Sequence, residues 1–174
     1  MQKIKNTSHV LYLLFRTLCW LIPLATTFLI LLKFDWMCHI GAWSSVISAE
    51  QIRDPAHFSW LHRCILLAIE WMPMTITILI CHKLAKLFRL FEQGYLFEEE
   101  NIKLIKHVSI YMIVGELVQL FYQPLMTAAL TFTNPKGERF ASITLNSANA
   151  STLITAFIIL VASWIIQSET QLTI

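Results

Sequence analysis

The sequence is poor in charge and in glycine. Only 14% of its 174 residues are Asp, Glu, Lys or Arg, and it contains four glycines. A soluble domain carries about 25% charged residues, so the usual water-exposed globular surface is excluded. The shortage of glycine, with 56% hydrophobic residues, also excludes a disordered, collagen-like or linker-rich chain.

Motifs of catalysis and of nucleic-acid binding are missing as well. The sequence has no Walker loop, no glycine-rich nucleotide fingerprint and no H-E-x-x-H, and none of its four cysteines forms a C-x-x-C pair. The formal charge of +2 is small and scattered, which does not suit a nucleic-acid partner. We therefore expect a protein that is not an enzyme, takes no cofactor and binds no nucleic acid.

Long apolar runs are what the sequence has in abundance. A helix needs about 20 mostly apolar residues to cross the hydrocarbon core of a membrane. Four stretches meet or approach this length, at residues 10–32, 64–81, 108–130 and 148–166. The first is longer than the core of a signal peptide and contains Arg16, so we expect an uncleaved span. The sequence predicts an all-α, integral membrane four-helix bundle, with residues 1–174 forming one transmembrane domain in the lipid bilayer.

The distribution of Lys and Arg predicts the orientation of the spans. Seven basic residues lie before span one or between spans two and three: Lys3, Lys5, Lys83, Lys86, Arg89, Lys103 and Lys106. Five lie near the other ends of the spans: Lys33, Arg53, Arg63, Lys136 and Arg139. Because cytoplasmic segments carry the excess of Lys and Arg, we expect both termini and the central segment to be cytoplasmic.

The central segment, LFRLFEQGYLFEEENIKLIKHV at residues 87–108, is the most charged part of the chain. Apolar side chains recur at helical spacing from the end of span two into this segment. This pattern predicts an amphipathic continuation of span two. Gly94 is placed to end that helix, and the acidic run 98–100 suits the start of the next one. The sequence thus predicts a cytoplasmic amphipathic helical hairpin. It either fixes orientation only or docks lipid or protein through four anchors, Phe88, Phe91, Tyr95 and Phe97.

The same segment resembles the signature of an uncharacterised bacterial family of small four-span inner-membrane proteins. That signature is an aromatic residue, a glycine, a phenylalanine and then Glu-Asn, here Phe91, Gly94, Phe97, Glu100 and Asn101. The ending SETQLTI is similar to the family's acidic, Leu-Thr-aliphatic C-terminus. Many members have Ser or Thr after the phenylalanine, where this chain has Glu98. The resemblance implies a bacterial inner-membrane protein, often encoded beside a small helix-turn-helix regulator, with no known reaction.

Ionisable residues inside the spans are costly and require partners. Arg16, Glu70 and Glu116 fall in spans one, two and three. Glu116 continues with Gln119 and Gln123 as a polar stripe, which lipid cannot satisfy. Arg16 and Glu116 lie at similar depths, which predicts an ion pair that fixes helix register, unless Arg16 extends to the lipid headgroups. The alternative is a proton or small-cation path along the stripe, joined by Glu70.

Cysteine and histidine are concentrated in and around the connection between spans one and two, which we call the first outer connection. Cys38 and Cys64 lie near its two ends, in an oxidising compartment if the orientation holds, so a disulfide is one open alternative. Together with the three histidines of this connection they include donor types that zinc or copper accepts. Their spacing matches no known metal motif, and we expect no metal site.

The second outer connection contains a turn signal, Asn134-Pro135-Lys136-Gly137. Residues 139–145 then partly alternate between apolar and polar. This combination is compatible with a short β-hairpin.

Three function classes follow from these observations. The leading one is a small bacterial inner-membrane accessory or regulatory protein that acts by protein–protein contact, with other membrane proteins or a second copy of itself. The second is a proton- or cation-coupled transporter or channel component that uses the Glu116 stripe and, with only four spans, requires an assembly. The third is a membrane immunity protein against a toxin, in which the outer connections carry the contacts.

Overall fold

The computed structural model describes residues 2–52, 58–95, 98–145 and 147–172. Helices make up 81% of the structure, and the described residues contain no strand. The elements are α1 (Gln2–Leu32), α2 (Phe34–His39), a 3-10 turn (Ala49–Gln51), α3 (Trp60–Gln93), α4 (Glu99–Thr131) and α5 (Ser147–Leu172). The all-α class expected from the sequence is confirmed.

Four helices are long and apolar enough to cross a membrane. They cover Lys5–Leu32, Trp60–Gln93, Glu99–Thr131 and Ser147–Ser168, and each predicted span lies inside one of them. All four helices expose large apolar side chains, for example Trp20, Leu61, Phe121 and Ile158. Such side chains suit lipid rather than water. The chain is therefore a multi-pass membrane protein with the architecture of a four-helix bundle.

The chain packs as two units. Unit 1 comprises Met1–Leu21, Thr75–Glu116 and Asn146–Ile174, and unit 2 comprises Ile22–Met74 and Leu117–Leu145. The long helices α1, α3 and α4 contribute residues to both units, whereas α5 belongs to unit 1 and α2 to unit 2.

Unit 2 has an aromatic core around α2. Phe34 is fully buried, and its ring lies 5.5 Å from that of Trp43 and 4.9 Å from that of Phe58, between centroids. Fully buried apolar side chains complete the core: Ile30, Leu66, Met126 and Leu130. Burial of a side chain of this size contributes about 1.5–3 kcal/mol, so the described part of the first outer connection is packed against its helices.

The β-hairpin considered for residues 139–145 does not form. This segment is irregular, and three of its backbone N–H groups donate to side chains of α4 instead. The bonds run from Phe140 N to Thr131 Oγ1 (3.3 Å), from Ser142 N to Thr127 Oγ1 (3.0 Å) and from Thr144 N to Gln123 Oε1 (2.6 Å). The hairpin prediction was wrong because the N–H groups of alternate residues find acceptors on the helix, so a second strand is not needed to satisfy them.

Unit 1 holds its helices together by aromatic and small side chains. Phe15 of α1 stacks on Phe88 of α3, with centroids 5.7 Å apart and an interplanar angle of 1°. On α5, Ala156 and Ser163 are buried, so these two small side chains pack within the chain. Small side chains allow close approach between helices in a membrane, where dispersion contacts dominate association.

The turn between α3 and α4 has the geometry predicted from its glycine. Helix α3 ends at Gln93, and Gly94 adopts φ +98°. The N–H of Gly94 donates to Phe91 O (3.1 Å) and that of Tyr95 to Leu90 O (3.0 Å). These two bonds form a Schellman motif, which needs a left-handed residue at this position. The helical hairpin is therefore present, with Glu99 and Glu100 in the first turn of α4; the predicted anchor Phe97 lies outside the described residues.

Candidate functional site

Among the described side chains, Arg16 and Glu116 form no ion pair. Arg16 Nη1 donates to Tyr12 Oη at 2.6 Å, and Glu116 Oε2 accepts from Asn149 Nδ2 at 2.7 Å. The predicted pair was wrong because depth alone does not determine which face of each helix carries a side chain. Tyr12 lies one turn before Arg16 on α1, and Asn149 belongs to α5, so each charged group is satisfied by a nearer neutral partner.

Glu70 is held by two donors from distant parts of the chain. Its Oε2 accepts from Tyr122 Oη at 2.8 Å and from Trp43 Nε1 at 3.3 Å. Trp43 belongs to the first outer connection and Tyr122 to α4, so the carboxylate links both to α3. Removing either donor would leave part of a poorly solvated carboxylate without compensation. These contacts support a structural role for Glu70.

The polar stripe of α4 attaches the second outer connection. Gln123 is buried and accepts from the backbone of Thr144, while Gln119 is half-buried one turn earlier. Thr127 and Thr131, both fully buried, continue the stripe and were not singled out from the sequence. The spacing of four residues from Gln123 to Thr127 and again from Thr127 to Thr131 was the available signal, since it places all three side chains on one face of the helix.

The described cysteines and histidines of the first outer connection differ in burial and partners. All four cysteines of the chain are free thiols, with Cys38 buried and Cys64 exposed. His62 Nε2 lies 2.7 Å from the carbonyl oxygen of Ala129 and must donate to it. Within the part of the chain that the structure describes, no three His, Cys, Asp or Glu side chains are grouped as metal ligands; His57 lies outside that part.

The predicted aromatic anchors of the hairpin divide into packed and exposed residues. Phe88 stacks on Phe15, and Phe91 packs edge-on against Phe88 with centroids 6.0 Å apart. Both are half-buried, so they stabilise unit 1. Tyr95 is 47% exposed. Among the described residues of the turn, Tyr95 and the acidic run 98–100 are exposed and available for docking, and we call them the turn surface.

A groove of about 680 Å³ lies next to the turn surface in unit 1. One face of α1 and one face of α3 line it, because the residues recur at intervals of three or four. They include Tyr12, Arg16 and Trp20 of α1 and His82, Lys86 and Arg89 of α3, with Glu100 of α4 at the same groove. We call this the cationic groove, since arginine and lysine outnumber its single carboxylate.

Among the described residues, no acidic side chain pairs with the two arginines of the cationic groove. The guanidinium carbons of Arg16 and Arg89 lie 5.8 and 5.9 Å from the centroid of the Tyr12 ring. Lys86 Nζ lies 2.6 Å from Glu100 Oε1, which neutralises that pair. The ion pairs between described residues otherwise join His9 to Glu92 and Lys103 to Glu99. The groove is therefore suited to hold an anion rather than a cation.

The geometry thus defines a four-span α-helical membrane protein with a cationic groove beside an exposed turn. No protein-family model, curated protein or solved structure matches the chain.

Proposed function

We propose that the chain is a small accessory or regulatory protein of the bacterial inner membrane, which acts by contact with other proteins through the turn surface. The supporting observation is that hydrogen bonds fix the backbone of Tyr95, whose aromatic ring is exposed. The Tyr95 N–H donates to Leu90 O, and the Tyr95 carbonyl accepts from Asn101 Nδ2 at 2.6 Å. Asn101 is 2% exposed, so the anchor lies inside the fold. A preorganised tyrosine with an exposed ring is a typical centre of binding energy in an interface.

Charge next to Tyr95 gives the turn surface a preference for its partner. Glu98, Glu99 and Glu100 are exposed. Lys103 and Lys86 pair with Glu99 and Glu100, respectively, whereas the described ion pairs do not include Glu98. Complementary charge steers association and excludes wrong partners. The partner is accordingly a protein that offers a basic surface and an apolar pocket for the tyrosine ring.

The cytoplasmic position of this surface is part of the proposal. Its support is the concentration of Lys and Arg in the central segment, which marks the cytoplasmic side of a membrane protein. The family resemblance of residues 91–101 supports the bacterial inner membrane. Reporter fusions test the orientation: a reporter at Gly94 should be active in the cytoplasm, and one at Asn134 outside. An external signal at Gly94 would overturn it.

The two alternatives from the sequence have less support. Glu70, Glu116 and Gln123 are each hydrogen-bonded within the fold, which favours helix positioning over an ion path. The immunity hypothesis requires contacts at the outer connections, and the described parts of these pack against their own helices. We therefore do not propose either one.

Site-specific photo-crosslinking tests the contact function. A photoreactive phenylalanine analogue is placed at Tyr95 in the full chain, and cells are irradiated before solubilisation. We expect a discrete protein adduct that disappears when Glu98 is changed to Lys, because the charge complementarity is reversed. The matched control has the analogue at Phe132, another exposed aromatic position at 63%, where no such adduct should form. Adducts of equal yield at both positions, or none at position 95, would contradict the proposal.

A further inference from the structure

We propose that the cationic groove binds the headgroup of an anionic phospholipid, with Arg16 and Arg89 holding its phosphate. The proposal is independent of the protein contact assigned to the turn surface. It rests on the charges of the groove, the way in which its arginines are held, and its position on the helices.

The charges of the groove favour an anionic ligand. Arg16 and Arg89 both lie within about 6 Å of the Tyr12 ring, and no described carboxylate is at ion-pair distance from either. Attraction to the ring offsets part of the cost of holding each cation there. It leaves two positive charges on the same groove, which a bound phosphate would offset. Arginine suits this role because its planar fork donates two parallel hydrogen bonds to phosphate oxygens.

The arginines are partly preorganised for such a ligand. Arg16 Nη1 donates to Tyr12 Oη at 2.6 Å, which fixes the direction of its guanidinium and leaves other N–H groups available. The arginines come from α1 and α3, whose packing is fixed by the stack of Phe15 on Phe88. Less side-chain entropy is therefore lost when the ligand binds.

The position of the groove favours a lipid over a soluble anion. Its α3 wall lies in the segment after the predicted span 64–81, where Lys83, Lys86 and Arg89 follow one another. Basic residues at this point of a span lie at the level of the lipid headgroups. On α1 the groove ends at Trp20, 72% exposed, followed by Leu21, 60% exposed. A phosphate at the arginines and an acyl chain along this apolar surface match the two ends of a phospholipid.

Glu100 limits the affinity of the site. Its pairing with Lys86 at 2.6 Å neutralises a third cation of the groove, and its carboxylate adds a negative charge to the groove lining. Changing Glu100 to Gln frees the ammonium group and removes this negative charge. The proposal therefore predicts a variant that binds more tightly than the wild type, which is a result that simple loss of folding cannot produce.

The test measures lipid binding to the full chain. The protein is reconstituted in phosphatidylcholine nanodiscs doped with phosphatidylglycerol, and the retained lipid is counted by native mass spectrometry. We expect selective retention of phosphatidylglycerol, reduced about tenfold in Arg16→Gln/Arg89→Gln, since charge-assisted hydrogen bonds are lost. The control Lys33→Gln/Lys136→Gln removes the same charge at two exposed residues outside the groove and should retain lipid like the wild type. Glu100→Gln should retain more.

Three outcomes would overturn the proposal. The first is equal retention by the wild type and the double arginine variant, and the second is equal retention of phosphatidylcholine and phosphatidylglycerol by the wild type. The third is binding of inorganic phosphate in neutral detergent as tight as that of the lipid and equally dependent on the arginines, which would assign the groove to a soluble anion. If Arg16→Gln/Arg89→Gln does not fold, Arg16→Lys/Arg89→Lys replaces it. That variant keeps the charge, loses the planar fork and should retain severalfold less lipid; unchanged retention would refute the assignment.

Discussion

Gln123 Oε1 accepts a hydrogen bond from the backbone N–H of Thr144 at 2.6 Å. Thr127 and Thr131 repeat the contact at the next two turns of α4, with Ser142 and Phe140. Four residues of helix rise about 6 Å and two residues of extended chain about 6.7 Å, so the two segments stay in register over three bonds. The polar stripe of α4 is thus the attachment line of the second outer connection.

Replacing Gln123 by Leu should destabilise the protein by about 1–3 kcal/mol, because the N–H of Thr144 loses its acceptor at a poorly solvated position. Chemical unfolding in detergent measures the change. Gln119→Leu is the matched control on the same helix. Gln119 is half-buried and is not among the side chains that bind this connection, so a change within about 0.5 kcal/mol is expected. Equal losses in both variants would refute the role given to Gln123.

The contact between Glu70 and Tyr122 should appear as a coupling energy. Tyr122→Phe removes the hydroxyl that donates to Glu70 Oε2, and Glu70→Gln removes the charge that strengthens the bond. In a double-mutant cycle the two changes should be non-additive by about 0.5–3 kcal/mol. Tyr111→Phe, the same change elsewhere on α4, should add to Glu70→Gln without coupling. Additive effects at position 122 would mean that the bond does not contribute to stability.

The spans and the α3–α4 turn could be predicted from the sequence because their signals are local. Long apolar runs produced the four spans, and Gly94 marked the end of α3 since only glycine adopts φ +98° at little cost. The acidic run 98–100 likewise marked the start of α4, where Glu99 and Glu100 lie in the first turn.

The side-chain partners could not be predicted, because they depend on the rotation of each helix about its axis. Depth suggested Glu116 for Arg16, whereas the partner is Tyr12 on the same helix. Amphipathicity suggested that Phe88 faces lipid or a partner protein, whereas it stacks on Phe15. The sequence around Phe140, Ser142 and Thr144 likewise gave no signal for the acceptors of their N–H groups, since these acceptors lie on α4.

Cys38 should resist alkylation at neutral pH. Burial, and then the negative charge of Asp35, raise the pKa of the Cys38 thiol to about 12. The thiolate is the reactive form, so in a variant with Cys19, Cys64 and Cys81 changed to Ala, maleimide labelling should be slow at pH 8. Its rate should rise about tenfold per pH unit towards pH 12, and unfolding should restore fast labelling. Rapid labelling of the folded protein at pH 8 would contradict the burial of Cys38.

The raised pKa of the Cys38 thiol also makes the stability of the protein depend on pH. The pKa of the Cys38 thiol in the folded protein is above its ordinary value of 9.0. The thiol therefore makes its full contribution to stability below pH 9. This contribution is lost as the pH rises from 9 towards 12, since the Cys38 thiol releases its proton in the unfolded chain first. The loss of stability over this range should be smaller in Cys38→Ala than in the wild type. An identical loss in both proteins would show that Cys38 does not contribute to it.

Gly94→Ala should destabilise the α3–α4 turn by about 1–2 kcal/mol, the cost of a left-handed conformation for a residue with a Cβ. A Cβ at this position would meet no atom within 4 Å, so the effect is conformational and not steric. Gly94→Asn should cost less, because asparagine tolerates the left-handed region. Unfolding in detergent gives the order of the variants, and an alanine variant as stable as the wild type would contradict the geometry of the turn.

Substitutions of Phe88 and Tyr95 should distinguish the packing of the helices from contact with a partner protein. Phe88→Ala removes a half-buried ring from the stacks with Phe15 and Phe91 and should lower the free energy of unfolding by about 1–3 kcal/mol. Tyr95→Ala removes a ring that is 47% exposed and should change stability by less than about 0.5 kcal/mol. If the turn surface binds a partner, Tyr95→Ala nevertheless abolishes the cellular phenotype at a normal protein level. Phe88→Ala should weaken the phenotype only as far as it lowers the amount of folded protein, which immunoblotting of membranes measures. A normal phenotype for Tyr95→Ala would leave the turn as a connection between α3 and α4 without a role in contact.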